Sequence, residues 1–154
     1  GSRPILCDLQ ALASRSFYTV PKRTVGGMDS GRVALLLAVM EKRAGKKLFD
    51  QDVYINVAGG LALSDPAADL AVCVAVASSL MGFTLSPTLS VMGEVGLCGE
   101  VRPVAQAERR VAECVRLGFT DILLPRQNLK RLRPIDGVRM TGVDTLMQAL
   151  AVVG

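Results

Sequence analysis

The 154-residue sequence contains no histidine and no tryptophan. Lack of histidine excludes Ser-His-Asp and Cys-His catalytic arrangements and every His-containing zinc site. Any general base has to be Lys, Asp, Glu or Tyr. Lysines stand only at Lys22, Lys42, Lys46, Lys47 and Lys130, so the centre of the chain has none. Long apolar runs are missing too: charged or polar residues interrupt every one before the roughly 18 residues a membrane span needs. The stretch "GSRPILCDL" lacks the apolar core of a signal peptide, so a cytoplasmic location and no membrane partner are expected. No two of Cys7, Cys73, Cys98 and Cys114 form a CxxC pair. They read as buried thiols in a reducing cytosol, with disulfide or metal ligation as the alternative.

Half of the residues are hydrophobic, mostly Val, Leu and Ala, enough for one ordinary domain with a real core. Gly1 and Ser2 read as a cloning remnant, leaving 3–154 as the domain and the chain as a piece of something longer. Net charge is +4, compatible with a nucleic-acid partner without requiring one.

Partial alternation in "PILCDLQALA" predicts a strand, and "SRSFYTVPKRTVGGM" a loop or second strand. Asp29 should cap a helix reaching Gly45, with Val33, Leu36, Leu37 and Met40 on one face. Ala34, Leu35, Ala38 and Val39 widen that face, which predicts a mostly buried helix. "DVYINVAGG" reads as a strand. Ser64, Asp65 and Pro66 form a helix mouth followed by an apolar run to about Leu80. "SVMGEVGLCGEVRPV" reads as one tight hairpin. "AQAERRVAECVRLG" is an amphipathic helix, "TDILLP" a buried strand, "RQNLKRL" a basic turn or helix, and "GVRMTGV" a last strand. "DTLMQALAVV" is a last helix with Asp144 as its cap. Interleaved strands and helices give an α/β or α+β class.

Gly93, Gly96 and Gly99 lie within the hairpin and lack the strand–helix setting of a dinucleotide fingerprint. Arg32 lies in a helix first turn, where a cation opposes the macrodipole. Either it pairs with Asp29 or another acid, or it completes an anion cradle with the helix N–H groups. Arg126, Lys130, Arg131 and Arg133 crowd into eight residues with no acid among them. They are either a solvated face or a phosphate contact. Lys42, Arg43, Lys46 and Lys47 are explained well enough by a helix C-terminus.

The segments "PILCDLQAL", "KRTVGGMDSGRVALLLAVMEKRAG", "VAGGLALSDPAADLAV", "GEVGLCGEVRPVAQAERRVAECVRLGF" and "ILLP" follow one another in the order of a known family. They resemble the Lon-protease-like C-terminal domain of bacterial RadA (Sms) DNA-repair proteins over nearly all of 4–150. That resemblance implies the Lon proteolytic fold, with mixed sheets and flanking helices. It also implies a parent with an upstream zinc finger and RecA-like ATPase, so ATP and zinc are expected there and no cofactor or metal in this chain. Lon peptidases use a Ser-Lys dyad. Laid on their pattern, Ala67 falls on the serine, Asp69 on a following glycine and Glu108 on the lysine. The resemblance thus implies lost catalysis. The chemistry agrees, since Ala67 offers no nucleophile and Asp69 would occupy the end an oxyanion would use.

The expected function is a non-proteolytic module that binds double-stranded DNA through its backbone and assembles, as the resemblance implies, into a hexameric ring. Arg32, Arg131, Lys130, Arg126, Arg23 and Lys22 are the expected phosphate contacts. No aromatic interleaves the basic stretches, so stacking of single-stranded bases is not suggested. Two alternatives stand beside this: an oligomerisation scaffold without DNA contact, and a residual peptidase using Ser64 or Ser79 with Lys130 or Glu108.

Overall fold

A computed structural model describes residues 9–57 and 65–154. The first layer is a three-stranded sheet of β1 (Leu9–Arg15), β3 (Gln51–Val57) and β2 (Arg23–Gly26), in that order. β1 runs antiparallel to β3 with Leu12 opposite Tyr54, and β2 runs parallel to it with Thr24 opposite Tyr54. Alternation buries Val53, Ile55 and Val57 on one face. The other face, with Leu12, Ser14, Thr24 and Tyr54, is exposed. After β2 the chain turns through Gly27 at φ 75°, where an added Cβ would lie 1.8 Å from the Val57 carbonyl oxygen, so only glycine fits.

Helix α1 (Ser30–Ala44) starts and stops where its sequence says it should. The Asp29 carboxylate accepts from the N–H groups of Gly31 and Arg32, and Gly45 takes the left-handed conformation at φ 66°. Val33, Leu36, Leu37, Val39 and Met40 are buried. The wider apolar face expected from sequence is not buried: Ala34, Leu35 and Ala38 face outward. α1 is a surface helix with a single buried stripe.

A 3-10 turn (Pro66–Ala68) leads into α2 (Asp69–Met81), which Gly82 ends. Asp65 caps that turn, its carboxylate accepting from the Ala67 N–H at 2.9 Å. The expected role of Ser64 lies outside the described residues, as do Cys7 and the glycine turn after β3. Every residue from Asp69 to Ala77 is buried. α2 packs on β1, α1 and α5 and is the axis of the larger core.

The second sheet is parallel: β4 (Leu89–Val91), β7 (Asp121–Pro125) and β8 (Arg139–Val143), in that order. β7 is covered on both faces, as parallel strands usually are. Leu123 joins the larger core, while Ile122 and Leu124 join a smaller one with Met92, Val111, Cys114 and Phe119. The single hairpin expected over 90–104 is divided. Leu89–Val91 pairs with β7, and only β5 (Glu94–Val95) and β6 (Val101–Arg102) form the antiparallel ribbon. α3 (Ala107–Arg116) lies over the smaller core through Val111 and Cys114. α4 (Arg126–Leu129) is one basic turn. α5 (Leu146–Val153) is capped by Thr145, whose hydroxyl accepts from the Gln148 N–H at 3.1 Å. Asp144, expected in that role, instead binds Arg126. Among the described residues, no helix is long and apolar enough to cross a membrane.

Candidate functional site

The helix mouth at 65–69 is closed from three sides. Ala67 is buried. The N–H of Gly93 donates to the Ala67 carbonyl at 3.1 Å, and that of Leu70 to the Gly93 carbonyl at 3.0 Å. β5 is thereby strapped to the turn.

Asp69 is 0% exposed and is held by three donors. Arg32 Nε donates to Oδ1 at 2.8 Å, Arg32 Nη2 donates to Oδ2, and the Val95 N–H donates to Oδ2 at 3.0 Å. Glu94 lies 3.9 Å from the same guanidinium. The Asp69 hydrogen bonds raise the Arg32 pKa above its ordinary value, against the opposing pull of burial. Of the two readings of Arg32, the ion pair is the one the geometry displays, but with Asp69 rather than Asp29. Asp29 takes only the backbone N–H of Arg32. One signal pointed to this: a carboxylate heading an otherwise apolar helix has to be partnered when buried.

Arg110, which sequence reasoning passed over, reaches the turn from α3. Its Nη1 donates to Asp65 Oδ2 at 3.3 Å, and its Nε to the Ala105 carbonyl at 2.9 Å. Glu108 does not join them. It is exposed, borders a cleft of about 450 Å³ with Arg131 and Arg133, and makes no hydrogen bond or ion pair with the described residues. Gln106, two residues before it, sits at φ 56°, the only non-glycine residue in the left-handed region among those described.

The other hydroxyls and thiols near α2 are engaged or inert. Ser79 Oγ accepts from the Ala13 N–H at 2.9 Å, and Ser78 Oγ donates to the Phe83 carbonyl at 2.5 Å. Burial pushes the Cys73 thiol far up from its usual range, and the neighbouring Asp69 charge adds to this. Cys114 is buried with its sulfur 3.2 Å from Ser90 Oγ, while Cys98 is exposed.

The expected phosphate contacts fall into three places. Arg32 is committed to Asp69. Lys22 Nζ stands 4.2 Å from the centre of the Tyr18 ring, and Arg23 donates to the carbonyls of Leu48 (2.8 Å) and Gln51. Beside the second sheet, Arg126 Nε donates to Asp144 at 2.8 Å. Lys130 and Arg131, with Arg133, are exposed and carry no ion pair with the described residues.

The buried helix headed by the 65–69 turn and strapped to the β-ribbon lies within the larger core, while α3 covers the smaller one. The family model of the Lon protease (S16) C-terminal proteolytic domain matches residues 32–150, and the chain belongs to that family. Within it, the chain is similar to bacterial proteins described as DNA repair protein RadA. It is 44% identical over 150 residues to that of Bacillus subtilis (strain 168), covering 97% of this chain and 33% of the relative. It is 43% identical over 152 residues to that of Halalkalibacterium halodurans, covering 99% and 33%. The RadA of Streptococcus pneumoniae (strain R6) is 43% identical over 150 residues, covering 97% and 36%. The chain thus spans about a third of the length of these relatives.

Proposed function

We propose that this chain is a non-proteolytic Lon-type module of a DNA-repair protein, and that it binds double-stranded DNA by its phosphates. The observation carrying this reading is the exposed segment 126–133, where Lys130, Arg131 and Arg133 stand without acidic partners among the described residues. Like charges held together on an ordered turn are relieved by a polyanion. Arg126 lends a charge already shared with Asp144, and Arg32 offers only the edge that Asp69 leaves open. Lys22 and Arg23 form a second, separate basic corner. Such a patch binds weakly in one copy, and a hexameric ring would multiply it through effective concentration. The parent's RecA-like ATPase would then supply ATP-driven movement, with zinc held upstream.

The mouth at 65–69 supports the non-proteolytic half of the proposal. Ala67 has no hydroxyl, Glu108 faces the Arg131 cleft rather than the turn, and Asp69 fills the position an oxyanion would need.

The test is fluorescence anisotropy of a labelled duplex across a salt series, with wild type beside Lys130→Glu/Arg131→Glu. The proposal expects binding that falls steeply with salt and is lost in the double variant, with oligomeric state unchanged. Equal binding by both proteins, or none by wild type at low salt, leaves the scaffold reading in its place. Arg32→Glu is unsuitable for this purpose, because it would place a second carboxylate against buried Asp69.

A further inference from the structure

Four of the six aromatic side chains are on the surface, three beside the β1–β3 end of the first sheet and Tyr54 midway along β3. Phe17 is 97% exposed, Phe49 66%, Tyr18 55% and Tyr54 42%. An exposed ring at the tip of a loose loop would mean little, but this loop is pinned. The Ser16 N–H donates to the Asp50 carbonyl at 2.7 Å, the Tyr18 N–H to Ser16 Oγ at 3.1 Å, and the Lys22 N–H to Asp52 Oδ1 at 2.7 Å. Arg23 ties the far end of the loop to the backbone at 48–51. Lys22 in turn holds the Tyr18 ring by a cation–π contact. Tyr54 projects from the exposed face of β3, on the same face as Asp52, which anchors Lys22.

Cations flank these rings along the chain: Arg15 precedes Phe17, Lys22 and Arg23 close the loop, and Lys46 and Lys47 precede Leu48, whose carbonyl binds Arg23. Glu41, Asp50 and Asp52 are acids at this corner; Asp52 is taken up by the Lys22 N–H and Glu41 by the Leu48 N–H. Sequence order shows only part of the arrangement, in Arg15, Phe17, Tyr18, Lys22 and Arg23. The fold assembles it from the β1–β2 loop and the entry to β3.

We propose that this corner is a stacking site for the unpaired bases of a single-stranded polynucleotide, with its phosphates lying against Lys22, Lys46 and Lys47. Preset rings and surrounding cations are the two components by which proteins hold single strands without reading their sequence. The site shares Lys22 and Arg23 with the duplex reading but stands on the rings, so either can fail alone.

The chain supplies its own probe. With no tryptophan and two tyrosines, both in this corner, its intrinsic emission reports on the site. Titrating the 154-residue chain with oligo-dT should quench tyrosine emission saturably. Phe17→Ala and Tyr18→Leu should each raise the Kd for labelled oligo-dT about tenfold, with duplex binding unchanged. Lys130→Glu/Arg131→Glu should do the reverse. Three outcomes overturn the proposal: unquenched emission at low salt, an oligo-dT Kd indifferent to Phe17→Ala, or an emission change that follows protein concentration alone. The last would assign the rings to contact between copies of the chain.

Discussion

Replacing Arg32 by Met keeps the aliphatic stem on α1 and removes the fork. The helix loses little, since Met and Arg have similar propensities. Asp69 loses two of its three donors and keeps only the Val95 N–H. Breaking a fully buried ion pair from one side costs about 3–5 kcal/mol. Arg32 is 28% exposed on its side chain, so water reaches one edge of the pair and the lower end applies, about 3 kcal/mol. For a chain of this size that lowers the thermal midpoint by about 6–12 °C. Asp69→Asn keeps the shape and one acceptor, and should cost less than Arg32→Met. Combining the two should cost less than the sum, because the second change no longer strands a charge. Thermal unfolding followed by circular dichroism on all four proteins closes the cycle. A midpoint for Arg32→Met within about 2 °C of wild type, or strict additivity in the double variant, would refute this account of how α1, α2 and β5 are joined.

Gln106 holds a left-handed conformation that costs a side-chain-bearing residue about 1–2 kcal/mol. Gln106→Gly should therefore raise the thermal midpoint by about 1–4 °C, despite the greater freedom of glycine in the unfolded chain. Thr145→Ala should lower stability by about 1 kcal/mol through the lost cap of α5, and Asp144→Ala by less, as measured by urea unfolding. The Lys22 N–H hydrogen bond holds the Asp52 carboxyl below the usual carboxylate range. A depressed folded-state pKa gives stability that is present above the unfolded value and lost as pH falls through the folded one. The difference in midpoint between wild type and Asp52→Asn should hold from pH 7 down to about 4 and close below it.

Much of the fold is legible in the sequence because its punctuation is local. Asp29 and Gly45 bracket α1, Asp65 and Gly82 bracket the 3-10 turn and α2, and "TDILLP" is too apolar for anything but an interior strand. What escapes is whatever depends on a distant partner. Leu35 looks like core by composition, yet no element lies over that side of α1. "SVMGEVGLCGEVRPV" reads as one hairpin until β7 draws Leu89–Val91 into another sheet. Asp144 and Thr145 are equally good caps on paper, and the choice falls to Thr145 because Arg126 engages Asp144. The same holds at the helix mouth. Ala67 and Asp69 can be read from the sequence, but that Arg32 pairs with Asp69 rather than with Asp29 or a phosphate follows only from the packing of α1 against α2. The aromatic corner also depends on pairing: only the β1–β3 register brings Phe17 and Tyr18 to the strand that carries Tyr54.

The division of the interior by β7 bears on how the molecule yields. Ile122 and Leu124 anchor a small set of buried residues under α3, while Leu123 belongs to the large set around α2. Leu129, Leu132 and Ile135 pack on the small set, so the segment bearing Lys130 and Arg131 rests on the half with fewer buried contacts. Regions of that kind open at lower free energy than the core beside them. The basic segment can therefore shift while α2 and the first sheet stay closed. Amide exchange would register this as α3 and α4 releasing deuterium ahead of α2, two thermodynamic provinces within one small chain that share a single strand as their border.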